Sequence, residues 1–331
     1  MQYGYNRFEY YLNKISSLLT EAAGTLNPAF YLAQHDARTP FFMLEGLSRL
    51  YSNLHNEKKF EKLKVRFKQI EDALGAIDYY DHVYLNVSAD SRVPEEVKEY
   101  LKAQSREKIQ SLNEILVEEG WMGEEARRIS KIHEKLSSAE WLSPETEVEK
   151  VEALYHKEIA KIHAQIPEAG IFFTEIELQV HELRRDLRWL SIYPQCLRGM
   201  IQYHQNGIAD PPTDKYLEQD IVNSPYNIFP DAGNLPVVML LEQKYFFALS
   251  WLISRLGRIK DDGLRLMAVS EAFQHLEKIT AENALEKTCA LLGKDKSLPD
   301  QILLEATLIC QTFKSEKILE KLLAGKAMRN Q

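Results

Sequence analysis

Apolar residues recur at helical spacing over most of the chain. In residues 5–23, Phe8, Tyr11, Leu12, Ile15, Leu18 and Leu19 share one face. Gly24 and Asn27-Pro28 then punctuate the chain, and Pro28 suits the first turn of a second helix. That helix is predicted over Ala29–Leu54, interrupted at Pro40, where a backbone hydrogen bond is forfeited and the helix should kink or restart. Phe60, Leu63, Phe67, Ile70 and Leu74 mark a third helix over 57–87, and two more are predicted over 95–118 and 124–140. Ser143-Pro144-Glu145 reads as a helix start, with Ser143 as N-cap and Pro144 at the first position. The helix it opens, 145–165, is rich in charge and is broken by Pro167 and Gly170. Phe173–Tyr203 is predicted as one long helix kinked at Pro194, with Val180, Leu183, Leu187 and Leu190 as its buried stripe. Further helices are predicted over 236–257, 262–279, 281–292 and 299–323. No stretch alternates with period two for long enough to require a sheet, so the predicted class is all-α.

Two words occur twice in the same order. Ala-Gln-His35-Asp-Ala-Arg38 is followed by Ala73-Leu74-Gly75-Ala76-Ile77-Asp78. Gln-Val-His181-Glu-Leu-Arg184 is followed by Arg255-Leu256-Gly257-Arg258-Ile259-Lys260-Asp261. Such repetition indicates internal duplication, dividing the chain into a first helical bundle, 1–142, and a second, 143–331. The connection at 206–236, with Pro211-Pro212, Pro225, Pro230 and Gly233, has only a few residues as its counterpart in the first half, and reads as an irregular insertion.

Composition narrows the partners. The net charge of −8 argues against a general nucleic-acid binder, whose footprint is a basic stripe. Any basic site must be local. Cys196, Cys289 and Cys310 are odd in number and lack Cys-x-x-Cys pairing, which favours three packed thiols and a reducing compartment. The most apolar stretches, 235–241 and 245–253, are shorter than the roughly 20 residues a membrane span needs. A cytoplasmic location without membrane contact is therefore expected.

His181, Arg184 and Arg188 stand at i, i+3 and i+7 and form a stripe beside the apolar one. Arginine suits phosphate because its planar fork of donors holds two oxygens and stays charged. His35 and Arg38 begin a similar stripe, but Phe42 stands where a third base would fall. Lys62 and Arg66 add charge before Gly75, as Arg258 and Lys260 do after Gly257.

These residues resemble the CHAD family, the conserved histidine α-helical domain. Its pattern is a His-x-x-Arg helix with further bases one and two turns on, then a Leu-Gly word, present twice. His181, Arg184, Arg188 and the stretch from Leu256 to Asp261 match well, as do His35, Arg38, Leu74, Gly75 and Asp81. Phe42 and Asp78 depart from the pattern, each standing at or near a place the family gives to a base. The resemblance implies two antiparallel helical bundles related by a pseudo-two-fold axis. It also implies inorganic polyphosphate, or another phosphate-rich anion, bound in a basic channel between them. His35, Arg38, His181, Arg184 and Arg188 would contact the ligand, with Lys62, Arg66, Arg258 and Lys260 on the rim.

Enzyme signatures are missing from the sequence: no Glu-x-x-His pair, no His-Glu-x-x-His, and no phosphate-cradling glycine loop. A non-enzymatic binder needing neither metal nor cofactor is expected. The alternative is a helical structural or protein-interaction module that kept the bundle and lost the ligand, with a protein partner docking on the 206–236 segment.

Overall fold

The computed structural model describes residues 2–328 except 125, 206–210 and 294–297, and leaves out the side chains of 211–212, 260–262 and 298–299. Helix α1 (Tyr3–Ala23) is followed by a short α2 (Pro28–Gln34), whose N-terminus is capped by Asn27 accepting from the Phe30 amide. Then come α3 (Arg38–Leu54), α4 (Glu57–Ser88), α5 (Glu95–Glu118) and α6 (Arg128–Ser137). The Ser143 hydroxyl accepts from the Thr146 amide and Pro144 opens α7 (Pro144–Gln165), as the sequence predicts.

The expected long helix over Ala29–Leu54 is two helices. Chain direction changes at His35–Ala37, where Asp36 takes φ +51°, and Pro40 lies in the first turn of α3. A proline there has no intrahelical amide bond to lose, so it starts a helix instead of bending one. The expected helix over Phe173–Tyr203 is also divided. A π-helical turn at Ile176–His181 leads into α8 (Glu182–Cys196), and the chain then leaves as a strand.

The fold is mostly helical, with one small sheet that the periodicity did not predict. Strands β1 (Ile201–His204), β2 (Val237–Glu242) and β3 (Leu323–Met328) lie in that order, β1 parallel to β2 and β2 antiparallel to β3. Ile201 is in register with Met239, and Val237 with Met328. The central strand buries Val237, Val238, Met239 and Leu241. Covered on both faces, it loses the alternation that marks a half-exposed strand. Among the described residues between β1 and β2 lie two single-turn α-helices, α9 (Pro211–Asp214) and α10 (Gln219–Val222), and a 3-10 turn at Pro225–Asn227. The sheet joins the end of α8 to the start of α11 (Gln243–Glu277), an unbroken helix of 35 residues where two were expected. Helices α12 (Ala281–Leu292) and α13 (Leu298–Ser315) complete the helical set.

One apolar core runs from Phe8 in α1 to Leu322 before β3, through the sheet and the first part of α11. A second gathers the far ends of α4 and α11 with α5 and α12 around Tyr80, Val97, Val269 and Phe273. Tyr80 and Tyr100 both donate to Glu271 there, at 3.1 and 2.9 Å. Burial along these faces is the main stabilising term, at roughly 25 cal/mol per Å² of apolar surface. Among the described residues no helix is long and apolar enough to cross a membrane. All three cysteines are buried and none is in a disulfide.

Candidate functional site

The two repeated words meet in space, each arginine on its own glycine. A Cβ built on Gly75 would fall 2.7 Å from Nη2 of Arg38, and one on Gly257 would fall 3.0 Å from Nη2 of Arg184. In both places a guanidinium crosses the middle of a long helix, α4 or α11, at a point where any larger residue would push it away. The glycines are absent side chains that make room for arginines.

The partners of the two arginines differ. Arg38 Nε donates to Glu71 at 2.8 Å and Nη1 to Asp78 at 3.1 Å. Arg184 Nε instead donates to the backbone carbonyl of Ile253 at 3.2 Å. Glu71 and Ile253 each precede their glycine by four residues, so Nε meets a carboxylate at one crossing and a carbonyl at the other.

Arg188 is the third arginine of the group. Its guanidinium lies over the Phe42 ring, 4.1 Å from the centroid, and among the described residues it pairs with no carboxylate. Burial and the neighbouring Arg184 and Arg38 push it down to about 10, with Glu71 partly opposing them. Cation–π contact offsets part of the cost of burying this charge, by about 2 kcal/mol when desolvated.

These groups open into one cleft. Its largest chamber, about 550 Å³, is lined by Arg38, His181, Arg184, Arg188 and Arg258, with Asp220, Ser224 and Tyr226 opposite. A second chamber of about 360 Å³ shares Arg38, Arg188 and Tyr226 and adds Phe42, Glu71 and Asp78. A third, about 370 Å³, extends from Arg38 past Gly75 to Arg265. Arg38 lies where all three join.

The irregular segment forms one wall of the largest chamber. Tyr226 and Ile228 offer backbone carbonyls to Gln195 Nε2, Asn227 accepts from Ser250 Oγ at 2.8 Å, and Trp251 Nε1 donates to Glu218 at 2.7 Å. It straps onto α8 and α11 of its own chain. Sequence patterning does not assign Asp220, Ser224 and Tyr226 to the site, because no periodicity ties a loop to a helix face.

Of the nine residues expected at the site, five line the cleft: Arg38, His181, Arg184, Arg188 and Arg258. His35 does not. It is the C-cap of α2, exposed, stacked on Tyr31 at 3.8 Å and bonded through Nδ1 to the Tyr31 carbonyl at 2.8 Å. Lys62 and Arg66 also line none of the three chambers. They belong to a separate basic group with Arg128, Lys131 and Lys135, in which burial and the surrounding cations hold the Lys135 ammonium below its ordinary range. The side chain of Lys260 lies outside the described residues.

Asp81, one of the residues that fit the family pattern, accepts from Ser105 Oγ at 2.6 Å and ties α4 to α5. Two further buried polar clusters have a structural role. Arg7 donates to Tyr51 and Glu147, at 2.8 and 2.7 Å. Arg49 meets Glu158 at 3.2 Å and Asp186 at 3.8 Å. Among the described residues no group of three or more His, Cys, Asp or Glu side chains is placed to hold a metal ion. No family model, curated protein or solved structure matches the chain.

Proposed function

We propose that the cleft binds a phosphate-rich anion, with inorganic polyphosphate as the simplest example, and that the chain is a divergent member of the CHAD family. Arg188 carries the argument. A half-buried guanidinium beside two others, with an aromatic face and no carboxylate, is at its most stable with an anion supplied from outside. Arg184 and Arg258 line the same chamber and add to its positive potential. The equivalent Arg–Gly crossings in both halves support the family reading and the internal duplication.

Calorimetry with polyphosphate at two ionic strengths tests the proposal. Binding heat should appear at low salt. With about three phosphates neutralised, affinity should fall with a log–log slope of about −2, at about −0.7 per contact for a single-stranded polyanion. No heat at low salt, from a folded sample, removes the proposal.

The second reading, a structural or interaction module without a ligand, is favoured by one observation. Glu71 and Asp78 already neutralise Arg38, so part of the cleft is balanced without any guest.

A further inference from the structure

The largest chamber is not basic on all sides. Basic side chains come from the π-turn, α3, α8 and α11, whereas the strap contributes Asp220, Ser224 and Tyr226, and α11 adds Ser250 and Ser254. Several polar groups on these walls are already engaged. Ser250 donates to Asn227 at 2.8 Å, and Ser191 to the Arg188 carbonyl at 2.9 Å. Asp220, Ser224 and Ser254 carry no side-chain hydrogen bond or ion pair among the described residues.

A bare phosphate chain carries only acceptor oxygens. It would satisfy the arginines but turn a negative edge toward the Asp220 carboxylate, which can only accept. A guest that satisfies both walls brings an anion at one end and hydrogen-bond donors at the other. A chamber of about 550 Å³ also exceeds what one phosphoryl group fills, and falls in the range of sites for small organic ligands.

We infer that the preferred ligand is an organic phosphate with a hydroxyl-bearing body, the chemistry shared by sugar phosphates and the ribose phosphate of nucleotides. Its phosphate lies among Arg184, Arg188 and Arg258, and its hydroxyls donate to Asp220. This rests on the anion reading of the same cleft and narrows its ligand class. Tyr226, exposed at the mouth, offers a ring face to a base if the source is a nucleotide.

The test is calorimetry with ribose 5-phosphate, adenosine monophosphate and inorganic pyrophosphate, on the wild-type chain and on Asp220→Ala. Asp220 is exposed in the first turn of α10, so its replacement should leave the fold intact. Asp220→Ala should weaken ribose 5-phosphate about tenfold, the loss of one hydrogen bond to a charged group. Pyrophosphate should bind that variant as well as, or better than, wild type, because a repelling charge has gone. The monophosphate binding more tightly than ribose 5-phosphate would identify the nucleotide as source, and equal binding the sugar phosphate. Pyrophosphate binding without any ribose 5-phosphate binding sinks this inference and leaves the anion reading standing. So does an Asp220→Ala variant that weakens both probes alike. Silence from all three probes sinks both.

Discussion

Arg38 on Gly75 and Arg184 on Gly257 are like contacts, an arginine laid across a helix glycine, and their described neighbours differ. Around Arg38 the chain supplies Glu71 and Asp78, with the buried Glu45 close to Glu71 and Asp72. Around Arg184 it supplies a backbone carbonyl, Arg188 and Arg258. Packing alone explains each glycine, since a side chain there would displace a guanidinium. Charge decides what each crossing can do. The first is a closed ion pair that fixes α3 against α4, and the second stands on the wall of a cavity with Arg188 and Arg258.

The scale of packing is the first thing to measure. Leu187→Ala removes a fully buried side chain from the stripe of α8 and should cost about 2–5 kcal/mol in a denaturant melt, through lost burial and the cavity left behind. A smaller loss would mean that α8 is held by its polar contacts and not by its core face.

Glu45 tests the acidic side. Burial, with Glu71 and Asp72 nearby, raises its carboxyl to about 7, while Lys68 and Arg185 oppose the shift. Between about pH 4.5 and 7 the folded chain holds a proton that the unfolded chain has released. The stability contribution is therefore complete below about pH 4.5 and is lost as pH rises through about 7. Glu45→Gln should stabilise the fold by on the order of 2–3 kcal/mol at pH 8 and by little at pH 5. Equal gains at the two pH values would show that the carboxyl titrates normally.

The two arginines themselves should separate by a smaller margin. Arg38→Ala strands Glu71, whose side chain is only 8% exposed, and should cost about 2 kcal/mol, below the full figure for a buried pair because Arg38 is 38% exposed. Arg184→Ala loses its bond to the Ile253 carbonyl, which alone contributes about 1 kcal/mol, and should remove ligand affinity. Melts and binding isotherms on both variants check this. Equal stability losses, with binding intact in Arg184→Ala, would make the two crossings the same structural device.

Much of this contrast was legible in the chain. The repeated words located both arginines and both glycines, and the stripe Val180–Leu183–Leu187–Leu190 is buried as its spacing requires. The Ser143–Pro144 helix start was equally local and equally readable. What escaped depends on distant contacts. Val237–Leu241 is a short apolar run, and such a run fits a buried strand or a buried helix until its neighbours are known. Those neighbours lie near residues 201 and 323. The break beside His35 carries neither glycine nor proline at Asp36, so its positive φ left no mark on the composition. Lys62 and Arg66 were placed by charge alone, and charge does not say which way a helix face turns.

Arg188 resting on Phe42 has a meaning for any chain built from two copies of one unit. Both residues stand seven places after the histidine of their word, so under the proposed duplication they would be one position, and here the two touch. Elsewhere in a duplicated molecule the copies can keep identical side chains, because each meets a different neighbour. At the meeting point they cannot: two guanidiniums would face one another across the seam between α3 and α8, and two phenyl rings would leave no cation at this point of the cleft. On the proposed duplication, geometry at this place would force the halves to diverge, one carrying the charge and the other the surface on which it rests.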